Sequence, residues 1–167
     1  MGKKFNNQGG KNKNNNNKAT GATGDRKPKN RTMGEMFLFF RNNYNILLDT
    51  YMALKANDRK LDENSRKKFK EFDDNCMTIA QDLNSAAARR ILTETYSVLS
   101  GENQNIKLIQ LSQKLYYIAN RKSNIGNKSK ALAKELSDLC HFLSDKRPEA
   151  AELPKMIIEG VVCYVEG

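Results

Sequence analysis

The sequence predicts an all-α protein, a compact bundle of about five to six helices that follows a disordered basic tail. Three observations lead to this fold class. From residue 32 onward, apolar residues recur at the three- and four-residue spacing of amphipathic helices. The residues between these segments are typical of helix caps and turns, and no two segments form a convincing pair of strands. We therefore divide the 167 residues into a tail, 1–31, and a helical domain, 32–167.

The tail is a low-complexity segment rich in Asn, Gly and Lys. It contains nine Lys or Arg and one acidic residue, Asp25, so it carries +8 of the chain's net charge of +10. It has too few apolar residues to offset the entropy of ordering, which predicts disorder. Such a tail can attract phosphate backbones or act only as a solubilising extension, and the sequence favours neither role.

The first three helices are predicted from apolar stripes and their flanking signals. The first, about 33–56, starts at a capping box formed by Thr32 and Glu35. Its many aromatic residues lie on the apolar stripe, so we interpret them as core. The second helix is expected at about 63–82 and the third at about 85–99, with Gly101 as the stop signal.

The fourth helix, about 104–122, places three cations beside its apolar face: Lys107, Lys114 and Arg121. Seven residues make nearly two helical turns, so these side chains project within an arc of about 40°. No acidic residue occurs between positions 107 and 130, where three further lysines follow: Lys122, Lys128 and Lys130. Like charges at helical spacing repel, which favours an anionic partner. The alternative is a soluble basic face whose aliphatic stems cover the core.

The last two helices complete the bundle. The loop SNIGNKSK combines lysines with backbone N–H groups that could face phosphate, and the fifth helix is expected at about 129–144. The final segment, ELPKMIIEGVVCYVEG, is apolar on nearly all sides, with Pro154 suited to a first turn. This segment is expected either at the centre of the bundle or with its second face against another subunit.

Several classes of function are disfavoured. No apolar run is long enough for a membrane span or a signal peptide, so we expect a soluble, cytoplasmic protein that does not bind membranes. The three cysteines are far apart and His141 is the only histidine, so neither a metal site nor a cofactor is expected. The chain has no nucleophile motif, carboxylate pair or phosphate loop, which predicts that it is not an enzyme.

Three segments in the second half of the chain resemble a known family. These are LNSAAARRILTETYSV, IKLIQLSQKLYYIANRKS and EGVVCYVEG. They are similar to helices of the Csm small subunit of the type III-A CRISPR interference complex, an antiviral defence assembly. The resemblance covers about residues 76–167, somewhat over half of the chain.

The resemblance implies a helical protein without nuclease activity that stacks in several copies beside the other subunits, the guide RNA and the target RNA. It suggests that Arg89, Lys114 and Arg121 are counterparts of the family's basic surface residues. Contacts to the phosphate backbone would leave sequence reading to base pairing. Lys107, Lys122, Lys128 and Lys130 are added as RNA-binding candidates from charge clustering alone.

Alternatives remain open at this level. A type III-B small subunit would fit the same pattern, and so would a helical adaptor whose last helix docks into a partner protein while its charge is only solubilising. Tyr96 and Tyr117 could stack on exposed bases, although a place at the edge of the core is the favoured interpretation. RNA retention that falls steeply with salt would distinguish RNA binding from the adaptor.

Overall fold

The computed structural model describes residues 31–57, 60–122 and 124–166. Within these ranges the chain is all-helical and has no strands, which confirms the predicted fold class. The α-helices are α1 (Met33–Asn42), α2 (Tyr44–Lys55), α3 (Glu63–Ala80), α4 (Ser85–Val98), α5 (Gln104–Asn120), α6 (Asn127–Leu143) and α7 (Glu152–Tyr164). A 3₁₀ helix, Pro148–Ala151, leads directly into α7. The tail predicted at residues 1–31 lies outside the described residues, except for Arg31.

The first predicted helix is in fact two helices, α1 and α2. The backbone leaves the α-helical conformation at Asn43 (φ −118°, ψ 16°), whose side-chain amide donates a 2.8 Å hydrogen bond to the carbonyl of Phe39. The prediction of one continuous helix was wrong because the apolar spacing continues across this break. Phe40 before it and Leu47 after it are both fully buried, so the described chain has one helix more than expected.

Side-chain caps explain where several helices begin. Thr32, Asp62 and Asn84 each adopt an extended backbone and accept a hydrogen bond from the backbone N–H three residues later. The distances are 3.2, 2.6 and 2.9 Å, respectively. Such caps satisfy N–H groups that have no partner within the helix, and each contributes about 1 kcal/mol. The starts of α1, α3 and α4 therefore agree with the sequence prediction.

Helix α7 occupies the centre of the bundle. It packs mainly against α3 and α4, with further contacts to α2 and α6. Ile157, Ile158 and Val161 are fully buried, whereas Glu159 and Cys163 reach the surface. Of the two positions that the sequence left open for this apolar segment, the structure shows the central one.

Helices α5 and α6 form the most extensive helix pair. The buried side of α5 is Leu108, Leu111, Leu115 and Ile118, as predicted. The buried side of α6 includes Leu132, Leu136, Leu139 and Leu143, also as predicted. Where the two helices cross, the hydroxyls of Ser112 and Ser137 each donate to the other residue's backbone carbonyl, at 2.9 and 2.7 Å. Each hydroxyl thus pairs with a backbone carbonyl of the neighbouring helix. The side of α5 that carries Ser112 therefore faces α6.

Candidate nucleic-acid interface

Helices α4 and α5 run antiparallel and leave an open groove between them. Two contacts define their register: Lys107 Nζ donates to the carbonyl of Ser100, and Lys114 Nζ lies 3.5 Å from a carboxylate oxygen of Glu94. Lys114 lies two turns after Lys107 on α5, but its contact, Glu94, comes six residues before Ser100, the contact of Lys107. The end of α5 is therefore beside the start of α4.

The groove has a volume of about 650 Å³ and is lined by both helices. From here on it is called the α4/α5 groove, and its lining residues are Arg90, Glu94, Ser97, Val98, Gln110, Gln113, Lys114, Tyr117 and Ile118. Two cations, two side-chain amides and one aromatic ring face the same space. Glu94 is the acidic residue of this lining. The arrangement can offer charge to phosphates, hydrogen-bond donors and acceptors to base edges, and a ring face to a base.

Lys114 remains available to a ligand despite its ion pair with Glu94. Its side chain is 56% exposed, and the pair separation of 3.5 Å is long for a charged hydrogen bond. Surface pairs of this kind contribute about 0 to 1 kcal/mol, so little free energy holds the ammonium in place. A lysine has three N–H donors. Lys114 can therefore bind a phosphate oxygen while it stays near Glu94.

Two of the sequence-predicted cations instead have partners inside the fold. The ammonium of Lys107 donates to the carbonyl of Ser100, just beyond the end of α4. The ammonium of Lys128 donates to the carbonyls of Gln81 and, at 3.4 Å, Thr78, at the end of α3. Burial lowers the pKa of Lys128, an effect that Asp82 partly opposes. Cations at helix C-termini stabilise the exposed carbonyls there, so both lysines have a structural role.

The stripe predicted on a single helix is shorter than expected. Helix α5 ends at Asn120, so Arg121 is its C-cap, with an extended backbone (ψ 139°). Lys122 follows beyond the helix, whereas Lys130 lies in the first turns of α6 and is half-buried. Lys107 and Lys114 remain on α5 as predicted. The prediction that Arg121 continues their stripe as a helical residue was wrong, because the helix ends one residue before it.

The fold nevertheless gathers most of these cations at one end of the bundle. The start of α4, the end of α5 and the start of α6 lie together there, because α4 and α5 are antiparallel and α6 follows α5 after a short loop. Arg89, Arg121 and Lys122 are exposed at this end, and among the described residues their side chains form no ion pair. This group, together with Arg90, forms a basic end that continues the α4/α5 groove.

The structure adds one residue that the sequence interpretation missed. Arg90 lines the α4/α5 groove, whereas its neighbour Arg89 points about 100° away around α4. A signal was present in the sequence. Arg90, Glu94 and Ser97 are spaced by four and three, the spacing of one helix face, and Arg90 and Ser97 directly precede the apolar residues Ile91 and Val98.

The two tyrosines that the sequence singled out differ in their surroundings. Tyr117 is 62% exposed at the edge of the groove, so the favoured interpretation of this residue as an edge of the core was wrong. Tyr96 lies on another face of α4, where Lys155 of α7 is 5.9 Å from the centre of its ring. Tyr116, which the sequence interpretation did not consider, is 59% exposed and faces the cleft that α5 forms with α1 and α6.

His141 lies in another cleft of about 580 Å³, formed by α1, α5 and α6. Its neighbours there include Arg41, Tyr116 and Asp138. Cys76 and Cys140 are buried, which raises the pKa of both thiols, and Cys163 is exposed. In the described part of the chain no three His, Cys, Asp or Glu side chains come together as a metal site would require.

None of the described helices is both long and apolar enough to cross a lipid bilayer. Comparison with family models, curated proteins and solved structures gave no match to this chain. The geometry of its surface and the three family-like segments are therefore the observations from which a function is inferred.

Proposed function

We propose that the chain is a non-catalytic, RNA-binding small subunit of a type III-A CRISPR effector complex, which contacts the backbone of the target RNA or of the guide–target duplex. In the proposal it packs against other subunits, including further copies of itself, in the cytoplasm. The likeness of three segments to the Csm small subunit supports this assignment. The observation that carries it is the α4/α5 groove, which Arg90, Lys114 and Tyr117 line together.

The proposed mechanism is electrostatic. The two groove cations and those of the basic end would each neutralise a phosphate and release condensed counterions. Such contacts fix the position of an RNA strand without reading its sequence. The proposal includes Arg89, Arg90, Lys114, Arg121 and Lys122 as RNA contacts. Lys107 and Lys128 act on helix ends, and their influence on RNA would be indirect.

Charge reversal at one cation of the groove and one of the basic end tests RNA binding directly. The variant Lys114→Glu/Arg121→Glu is expected to bind a short fluorescein-labelled single-stranded RNA about tenfold or more weakly in fluorescence anisotropy. Two lost phosphate contacts also lower the slope of log affinity against log salt by about 1.4. Circular dichroism should be unchanged because both side chains are exposed.

A matched control separates the groove from the overall charge. Lys67→Glu/Lys70→Glu changes the net charge by the same amount, but both residues are exposed on α3. That helix packs mainly against α1, α2 and α7. We expect the control to keep most of the affinity. Equal losses in the two double variants would contradict a role for the groove, because the effect would then follow net charge alone.

Membership of the complex needs its own test. A tagged chain purified from its native cells should retain guide RNA and effector subunits, identified by RNA sequencing and mass spectrometry. A chain that elutes without RNA and without such subunits would contradict the assignment.

A protein-interaction adaptor is the second candidate, and one observation favours it. On α5, Ile106 and Ile109 are 59% and 41% exposed beside Tyr116. Exposed apolar side chains grouped on one helix face are typical of a protein-docking surface. Ile106→Gln/Ile109→Gln should then abolish co-purification of protein partners while leaving RNA affinity unchanged.

A further inference from the structure

Helix α5 has no charged residues other than Lys107 and Lys114, and its exposed face is rich in aromatic and amide groups. The exposed residues of the part of this face that borders the groove are Ile106, Gln110, Gln113, Tyr117 and Asn120, whereas Tyr116 lies in the cleft with α1 and α6. A solvated helix face normally carries charges of both signs. A face of rings and amides, with cations only at its sides, is suited to a nucleotide. The base of a nucleotide is flat and has polar groups at its edge, and its phosphate is an anion.

Tyr117 is the best placed of these residues. It is the most exposed large apolar or aromatic side chain among the described residues. Within that part of the chain its hydroxyl makes no hydrogen bond and its ring makes no ring or cation contact. It stands about one turn from Gln113 and two turns from Gln110, whose amides line the same groove. A base placed on the ring would have amide donors and acceptors at its edge.

Cations of the groove and of the basic end lie close to Tyr117 in the fold. Lys114 precedes Tyr117 by one turn on α5, and Arg90 lines the groove from α4. Arg121 follows Tyr117 by four residues, and its backbone N–H donates to the carbonyl of Tyr117. Cations therefore flank the ring along the helix in both directions. This pattern of a stacking ring between basic side chains is typical of surfaces that bind single strands.

A double helix cannot place a base on the exposed ring of Tyr117, except at its ends. In a duplex the bases are stacked on one another, so their ring faces are accessible only at the ends, and recognition depends on shape and backbone. Phosphate contacts alone would serve a duplex and a single strand alike. The exposed ring adds binding free energy only for an unpaired base, so it discriminates between the two forms.

We infer that the α4/α5 groove binds single-stranded RNA, with one unpaired base stacked on the ring of Tyr117 and its neighbouring phosphates on Arg90, Lys114 and Arg121. This inference rests on the proposed RNA-binding function and names the form of RNA that the site takes. It assigns to Tyr117 a direct contact with the ligand.

The test compares one labelled RNA sequence in two forms, alone and annealed to its complement, with the full-length chain. Tyr117→Ala should weaken binding of the single strand about 5- to 150-fold, the usual range for loss of one stacked base. Its affinity for the duplex should change less than twofold. Tyr117→Phe keeps a ring face and should bind the single strand like the parent protein. Tyr116→Ala removes a similarly exposed ring that lies about 100° around α5, in the cleft with α1 and α6 and outside the groove, and it serves as the matched control.

The outcomes separate this inference from the proposed function. If Tyr117→Ala binds the single strand like the parent while Lys114→Glu/Arg121→Glu is still weakened, the stacking inference is overturned and RNA binding stands. An equal loss in Tyr116→Ala, or for the duplex, also overturns it, because the effect would not be specific to the groove ring. If the parent binds neither form of RNA, the proposed function fails as well. Circular dichroism and thermal unfolding of each variant exclude a loss of fold, and failure of Tyr117→Phe to restore binding would argue against stacking.

Discussion

Lys128 and Lys122 offer the sharpest test of which cations stabilise the fold and which face a ligand. Both lie in the basic region that the sequence predicted for RNA binding. The ammonium of Lys128 donates to two carbonyls at the end of α3, whereas Lys122 is exposed beyond the end of α5. Replacing either by Met removes one positive charge and keeps an aliphatic stem of similar length. Only the Lys128 variant also removes hydrogen bonds to a helix end.

The expected loss of stability for Lys128→Met follows from its geometry. A cation at a helix C-terminus contributes about 0.3 to 1 kcal/mol, and a hydrogen bond from a charged donor about 1.5 to 3 kcal/mol. The site is only partly buried, and the lowered pKa of Lys128 shows that burial opposes the charged form. We therefore expect a net loss near the lower figures, about 1 kcal/mol, or about 3 °C in the midpoint of thermal unfolding. Lys122→Met should stay within about 0.5 kcal/mol of the parent.

RNA affinity should show the opposite order. Lys122→Met removes an exposed charge beside the groove and should weaken binding of single-stranded RNA by a few-fold at low salt, while Lys128→Met should bind like the parent. Urea unfolding and fluorescence anisotropy on the same preparations measure both properties. Equal stability of the two variants would refute the capping role of Lys128. A larger loss of RNA affinity for Lys128→Met than for Lys122→Met would refute its assignment to the fold.

Two further predictions concern the packing of α7. A Cβ on Gly160 would lie 2.9 Å from the sulfur of the buried Cys76, so Gly160→Ala should lose about 1 kcal/mol, the cost of overpacking less the gain in helix propensity. Adding Cys76→Ala should recover part of that loss in a double-mutant cycle of urea unfolding, and strictly additive effects would contradict the close contact. The hydroxyl of Tyr164 donates to the carboxylate of Asp73 at 2.8 Å, which raises the pKa of Tyr164. Because the folded pKa is above the unfolded one, this stabilisation is complete below about pH 10 and is lost as the pH rises through the folded value. Tyr164→Phe should therefore be less stable than the parent at pH 8, with a difference that shrinks above pH 10; a constant difference would refute the assignment.

Much of the fold could be predicted because local patterns determine it. The cap at Thr32 and the leucine stripes of α5 and α6 act within a few residues of sequence, and all of them have the predicted role. The break at Asn43 was missed because the apolar spacing continues through it. A single side chain that bonds to the carbonyl four residues earlier does not alter that spacing, so periodicity alone cannot reveal it.

The candidate site was less predictable because its chemistry depends on contacts between distant segments. Lys128 bonds to Gln81, which is 47 positions away in the sequence, and no local pattern reports such a contact. Charge clustering therefore grouped structural and exposed cations together. The exposure of Tyr117 and the position of Arg90 follow from how α4 packs on α5. Tyr116 precedes Tyr117 and Arg89 precedes Arg90 in the sequence. In each pair the two side chains point about 100° apart around the helix, so only one of them lines the groove.

The central position of α7 has a consequence for how the protein is made. A ribosome releases the helices in chain order, so α1 to α6 emerge before the segment that fills the space between them. Until then the faces of α3 and α4 that α7 covers, including Cys76 of α3, remain open to water and to other nascent chains. Stable packing of this domain therefore has to await the arrival of Leu153 to Val161, and variants that weaken that segment should appear in cells as aggregation-prone or rapidly degraded chains.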